Sequence, residues 1–133
     1  MAELRCLVVT PERTVLEAEA DFIALPLFDG EIGIAPGRSP LIGRLGYGEL
    51  RLTTGGHSER YYVDGGFVQV ARNVVSVLTQ KAVLASKIDE ATAREQIATA
   101  LQKPTNTAEV QEIRDRMLLQ ARALLRVAQR GKA

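Results

Sequence analysis

The chain has 133 residues, 46% of them hydrophobic, and a formal net charge of +1. That balance suits one or two small globular units, argues against disorder, and lacks the broad basic footprint of a nucleic-acid binder. No apolar run reaches the roughly 18 residues of a membrane-spanning helix, and the lone Cys6 excludes an internal disulfide.

The N-terminus moves directly into strand-like alternation, without the layout of a signal or transit peptide, so a cytosolic location is expected. Leu4, Cys6 and Val8 alternate with Arg5, Leu7 and Val9, giving one apolar face. Residues 29–48 are then punctuated by Gly30, Gly33, Pro36, Gly37, Pro40, Gly43, Gly46 and Gly48. Glycine permits positive φ or close backbone approach, and proline fixes φ. The stretch is therefore predicted to be a series of tight turns joining very short strands. It holds no lysine and no Gly-Lys-Ser/Thr, so it is not a phosphate-cradling P-loop.

Gly48–Thr53 alternates more cleanly, Thr54-Gly55-Gly56-His57 is an expected hairpin turn, and Arg60–Val63 runs back. Phe67–Ala71 and Val74–Leu78 are two further strands about a short Arg72-Asn73 turn. Many short strands with Gly-rich turns predict a β-sandwich over about residues 1–85.

The period then changes. Ser86 to Asp89 fits a capping box with Ser86 as the cap, opening a helix that runs to about Leu101 before Pro104. Asn106 to Glu109 can cap a second helix. Its apolar positions Val110, Ile113, Met117, Ala121, Leu124 and Ala128 step by three and four, with Leu118 and Leu125 beside them. The predicted fold class is α+β: an N-terminal β-sandwich followed, over about 86–133, by a C-terminal antiparallel two-helix hairpin. Two helices bury only one seam, and short helices are marginal in water. The hairpin is thus expected to lean on another surface, and one modest interface leaves it able to be held in a second place.

Charge divides unevenly. Residues 1–85 carry 8 basic and 10 acidic side chains, and residues 86–133 carry 9 and 6. Arg122, Arg126 and Arg130 share one helix face, where they either complement the helix dipole, at about 0.3–1 kcal/mol each, or meet an acidic partner. With one histidine, His57, and one cysteine, there is no zinc cluster and no nucleophile–base pair, so the isolated chain is not expected to be an enzyme.

Gly30, Gly33, Ile34, Pro36, Gly37, Pro40 and Leu41 match a signature of roughly Gly-x-x-Gly-Ile-x-Pro-Gly-His-x-Pro-Leu, and Gly65-Gly66-Phe67 leads into a strand as a second signature. Together with the two-helix tail, these resemble the epsilon subunit of F-type ATP synthases. Arg38 stands where that family usually has histidine, which removes a group titrating near neutrality; Ser39 replaces alanine and Gln69 a common glutamate.

The resemblance implies a non-catalytic subunit of the rotor's central stalk, coupling proton-driven rotation to ATP synthesis. It implies a sandwich packed on the gamma subunit and standing on the c-subunit ring, with Gly30, Glu31 and Ile32 facing the ring and Arg38 near it. It implies a tail that either folds against the sandwich or extends along gamma into the alpha/beta catalytic hexamer, where it restrains ATP hydrolysis. On that reading Val110, Ile113, Met117, Leu118 and Leu124 dock the tail, and Arg122, Arg126 and Arg130 meet acidic segments. An exposed ion pair contributes only about 0–1 kcal/mol, whereas moving an equilibrium from 1:99 to 99:1 takes about 5.5 kcal/mol. Apolar docking must therefore supply most of any switch.

Some members of the family also bind ATP in the folded tail. Asp89, Arg122 and Arg126 match that motif, while Thr92 occupies the position of its first arginine. ATP is then a possible regulatory ligand; no other cofactor or metal is implied. An ATP-sensing regulatory protein is the alternative function, and a stand-alone β-sandwich adaptor a third. The implied location is peripheral, on the cytoplasmic face of the bacterial inner membrane or the stromal side of the plastid thylakoid.

Overall fold

The computed structural model describes residues 3–130. Eight strands, β1 (Leu4–Val9), β2 (Thr14–Ala20), β3 (Phe22–Leu27), β4 (Gly30–Ile34), β5 (Leu41–Thr54), β6 (His57–Ala71), β7 (Val74–Leu78) and β8 (Ala82–Leu84), come first. A 3₁₀ turn at Ala85–Lys87 leads to helices α1 (Glu90–Leu101) and α2 (Ala108–Arg130). The strands bond in the order β2-β1-β7-β6-β5-β3-β4, with β8 also on β6. All pairs are antiparallel except β1 with β7.

Two long strands tie the layers together. The start of β5 and the end of β6 lie beside β7, β1 and β2, whereas their other halves lie beside β3, β4 and β8. Alternate side chains of both layers close on one core, including Leu4, Cys6, Val8, Ile23, Leu25, Leu50, Leu52, Val63, Val68, Val70, Val75 and Val77. This is the predicted β-sandwich, followed by the predicted two helices.

The glycine-rich stretch is built differently from the expectation. Turns occupy only Phe28-Asp29 and residues 35–40, and residues 41–48 belong to the single 14-residue strand β5. Gly43, Gly46 and Gly48 serve close packing instead. A Cβ there would stand 3.2 Å from a Leu27 methyl, 2.9 Å from the Leu27 carbonyl oxygen and 3.0 Å from the Pro26 Cβ, respectively. Likewise β6 runs unbroken through Gly65 and Gly66, where two strands were expected. Gly66 has φ +109°, and a Cβ on it would lie 1.9 Å from the Leu78 carbonyl oxygen.

The cap of α1 is Asp89 and not Ser86. Asp89 accepts hydrogen bonds from the Ala91 amide (3.0 Å) and the Thr92 hydroxyl (2.9 Å), while Ser86 sits in the preceding 3₁₀ turn. That turn takes up the residues a capping box would have used. Thr107 caps α2, accepting from the Val110 amide at 3.2 Å.

Candidate functional site

Residues Tyr61 and Val63 point into the sandwich, so Tyr62 between them faces the opposite way. There it joins Ala85, Ile88, Ala93, Ala123, Leu124, Val127 and Ala128 in a second cluster. The helical hairpin is thus docked on the outer face of the β5–β6 layer. Much of this seam is alanine, which lets helix and sheet approach closely but buries little apolar mass. Leu124 and Val127 are its larger α2 members, each contributing about 1.5–3 kcal/mol.

Polar contacts flank the apolar ones. The Tyr62 hydroxyl donates to Asp64 Oδ1 at 2.7 Å, and Gln120 Nε2 of α2 donates to the same oxygen at 3.0 Å. Burial, and then the bond to Asp64, push the Tyr62 phenol well above its usual range, so it remains a donor. Further along the ladder, Glu49 is only 5% exposed. Arg51 and Arg60 each lie 3.6 Å from its Oε1, and Arg130, in the last turn of α2, lies 3.6 Å from its Oε2. Neither carboxylate oxygen accepts a hydrogen bond.

The tail residues expected from sequence fall into two groups. Leu118 and Leu124 are buried, Val110 and Met117 half-buried, but Ile113 is 46% exposed. The sheet contacts of α2 come from its C-terminal half, Gln120 to Arg130. Ile113 lies seven residues before Gln120, about 10 Å further along the helix. Arg122, Arg126 and Arg130 are all exposed. Of these, Arg130 meets Glu49 and Arg126 lines a cleft with Phe28, Arg44 and Tyr47. Asp89 caps α1 and borders a different cleft, with Lys81, Thr92 and Leu124. Asp89 and Arg126 of the ATP motif thus border different clefts.

The residues expected to face a ring are also spread. Glu31 and Ile32 belong to β4, just past the Phe28-Asp29 turn, with Glu31 exposed and Ile32 packed against the core. Arg38 is exposed in the loop beyond the other end of β4. That loop is tied to the β6–β7 turn, because the Gly37 amide donates to Asn73 Oδ1 at 2.8 Å. Among the described residues no group of three or more His, Cys, Asp or Glu is placed to hold a metal ion.

A second surface was not foreseen. Where β5 and β6 run beside β7 and β1, Arg44, Phe67, Leu78 and Val9 stand in one row across four strands. Phe67 is 59% exposed, Leu78 55%, and Ile42, two residues before Arg44, 76%. Neighbouring exposed apolar side chains of this size mark an interaction face. The signal was present in sequence as the out-of-phase partners of Val68 and Val77.

This sandwich with a docked hairpin has known counterparts. The sequence profile described as the beta-sandwich domain of the ATP synthase delta/epsilon chain matches residues 3–85. The chain is 53% identical over 125 residues to the ATP synthase epsilon chain of Rhodopirellula baltica, covering 94% of this chain and 98% of that one. It is 36% identical over 129 residues to the epsilon chain of Nitratidesulfovibrio vulgaris, covering 95% and 94%. In fold it matches a chain of the Euglena gracilis mitochondrial ATP synthase structure (OSCP/F1/c-ring, rotational state 1), with a TM-score of 0.84 at 23% identity over 93% of this chain and 80% of that one. The chain belongs to the ATP synthase delta/epsilon family. Within it the chain stands with the epsilon chains, non-catalytic subunits of the F-type central stalk. No helix among the described residues is long and apolar enough to cross a membrane.

Proposed function

We propose that this subunit transmits rotation between the c ring and the catalytic hexamer, and that its tail limits ATP hydrolysis by leaving the docked position seen here. The observation that carries this reading is a sandwich with two distinct surfaces: an exposed apolar patch where β5 and β6 meet β7, and a hairpin held by a small seam further along the same strands. The Ile42–Phe67–Leu78 face suits the gamma subunit, and the hairpin tip with Phe28 and Glu31 suits the ring. Such contacts make the chain peripheral to the membrane, on its cytoplasmic face in a bacterium.

The tail is suited to two positions because its apolar surface is only partly used when docked. Leu101, Ile113 and Leu119 remain exposed, and Arg122 and Arg126 present cations beside them. An undocked tail loses the Tyr62–Val127 cluster but takes Ile113 and Leu119 with it to a new groove. Charge complementarity to acidic segments of the hexamer then sets orientation more than affinity.

The test is reconstitution with gamma and the hexamer, with and without residues 86–133. Binding to gamma in both forms and faster hydrolysis in the truncated one support the reading. Unchanged hydrolysis removes the inhibitory role, and lack of gamma binding removes the stalk role. ATP sensing is supported less, because Thr92 donates its hydroxyl to Asp89 and leaves no first arginine. Calorimetry with Mg-free ATP decides it: no heat up to millimolar ligand would dispose of the sensor.

A further inference from the structure

Glu49 has an unusual setting for a carboxylate. It lies on β5, nearly buried beneath the last turn of α2, with both oxygens outside hydrogen-bond range of any donor. An uncompensated buried charge is costly, and such groups are held by opposite charge. Here the opposite charge is in excess. Arg51 and Arg60 are direct cross-strand partners, a like-charge pairing that is unfavourable in isolation. The carboxylate divides the cations: Oε1 faces Arg51 and Arg60, and Oε2 faces Arg130. Glu49 therefore stands between the sheet's two guanidiniums and the one that arrives with the tail.

We propose that Glu49 is the anchor of the docked tail, a single carboxylate that converts a repulsive arginine pair on the sheet into a receptor for Arg130. This rests on the reading of the tail as a segment with more than one position, and it names a contact that tips the balance between them. A seam rich in alanine gives α2 a place to lie; the Glu49 cluster fixes where its end comes to rest. Because the three ion pairs stand at 3.6 Å without hydrogen bonds, the anchor acts through charge and not through bond geometry.

The consequence is a change of sign. With Glu49 present, Arg130 favours docking. With Glu49 made neutral, Arg130 faces Arg51 and Arg60 with no anion between them, and the same side chain opposes docking. Simple packing of α2 against the sheet predicts no such inversion. Coupling between contacting charges is the case in which mutational effects fail to add.

The experiment uses the full chain in four forms: unaltered, Glu49→Gln, Arg130→Gln and the double variant. Amide hydrogen exchange is followed over residues 123–130, with core amides of β5–β7 as the control for an intact sandwich. Each single substitution should speed exchange at the end of α2, by about tenfold for Glu49→Gln. Adding Arg130→Gln to Glu49→Gln should slow it again. If Arg130→Gln acts in the same direction in both backgrounds, or Glu49→Gln leaves α2 unchanged, the proposal is wrong. Should Glu49→Gln fail to fold, Arg51→Gln decides: slower exchange at the end of α2 supports the anchor, and unchanged or faster exchange overturns it. These readouts need no other subunit. A null result in the hydrolysis assay would thus remove the inhibitory role without touching the anchor, and the reverse holds as well.

Discussion

Position 66 shows most plainly how a single residue constrains this fold. Its Cβ would stand 1.9 Å from the Leu78 carbonyl oxygen, where β6 passes from β8 to β7, and its φ is +109°. Gly66→Ala must displace backbone and strain φ as well. A loss of about 1–3 kcal/mol is expected, read as a lower urea midpoint at unchanged slope. Cys6 gives a pH dependence with a definite sign. Burial pushes its thiol up to about 12, while an unfolded thiol titrates near ~8.5. The folded chain keeps a proton that the unfolded chain gives up. This stabilisation is therefore full below the unfolded value and lost as pH rises toward the folded one, by at most about 1.4 kcal/mol per pH unit. Urea titrations between about pH 8 and pH 10 should show stability falling, and Cys6→Ala should flatten that fall.

At the scale of elements, the strands and helices were legible where periodicity was clean. The alternation of Leu4, Cys6 and Val8 places β1, and the three-and-four spacing of Met117, Ala121, Leu124 and Ala128 places α2. Glycine has two roles that local pattern does not separate. In residues 41–48 it reads as turn chemistry, yet there it answers to the approach of Leu27 and Pro26, which are distant in sequence. The start of α1 was misplaced for a related reason: Ser86 and Asp89 both qualify as caps, and only the 3₁₀ turn at Ala85–Lys87 decides between them. Asp89→Ala should weaken α1 by about 0.5–2 kcal/mol. Faster amide exchange at Ala91–Ala93 would register it, with the sandwich unaffected.

Across the whole molecule, two surfaces of one sandwich differ in what they present. One holds the hairpin, and the other exposes Ile42, Phe67 and Leu78. If that second face is the gamma-binding surface, Phe67→Glu with Leu78→Glu should weaken binding by about 2 kcal/mol or more, about 30-fold. Both side chains are already exposed, so the melting temperature of the isolated chain should barely change. Equal affinity in a titration with gamma would move the interface elsewhere.

The sequence by itself determined the order of β-sandwich and helical hairpin, the family to which the chain belongs, and the amphipathic stripe that lets α2 dock. These rest on local period and on signatures read along the chain. Only the tertiary structure decided that the tail lies on the β5–β6 layer and that Tyr62, Asp64 and Gln120 meet there. The same is true of the three arginines around Glu49. Those contacts join residues tens of positions apart, and which ones meet follows from strand register and helix placement, which no local pattern specifies.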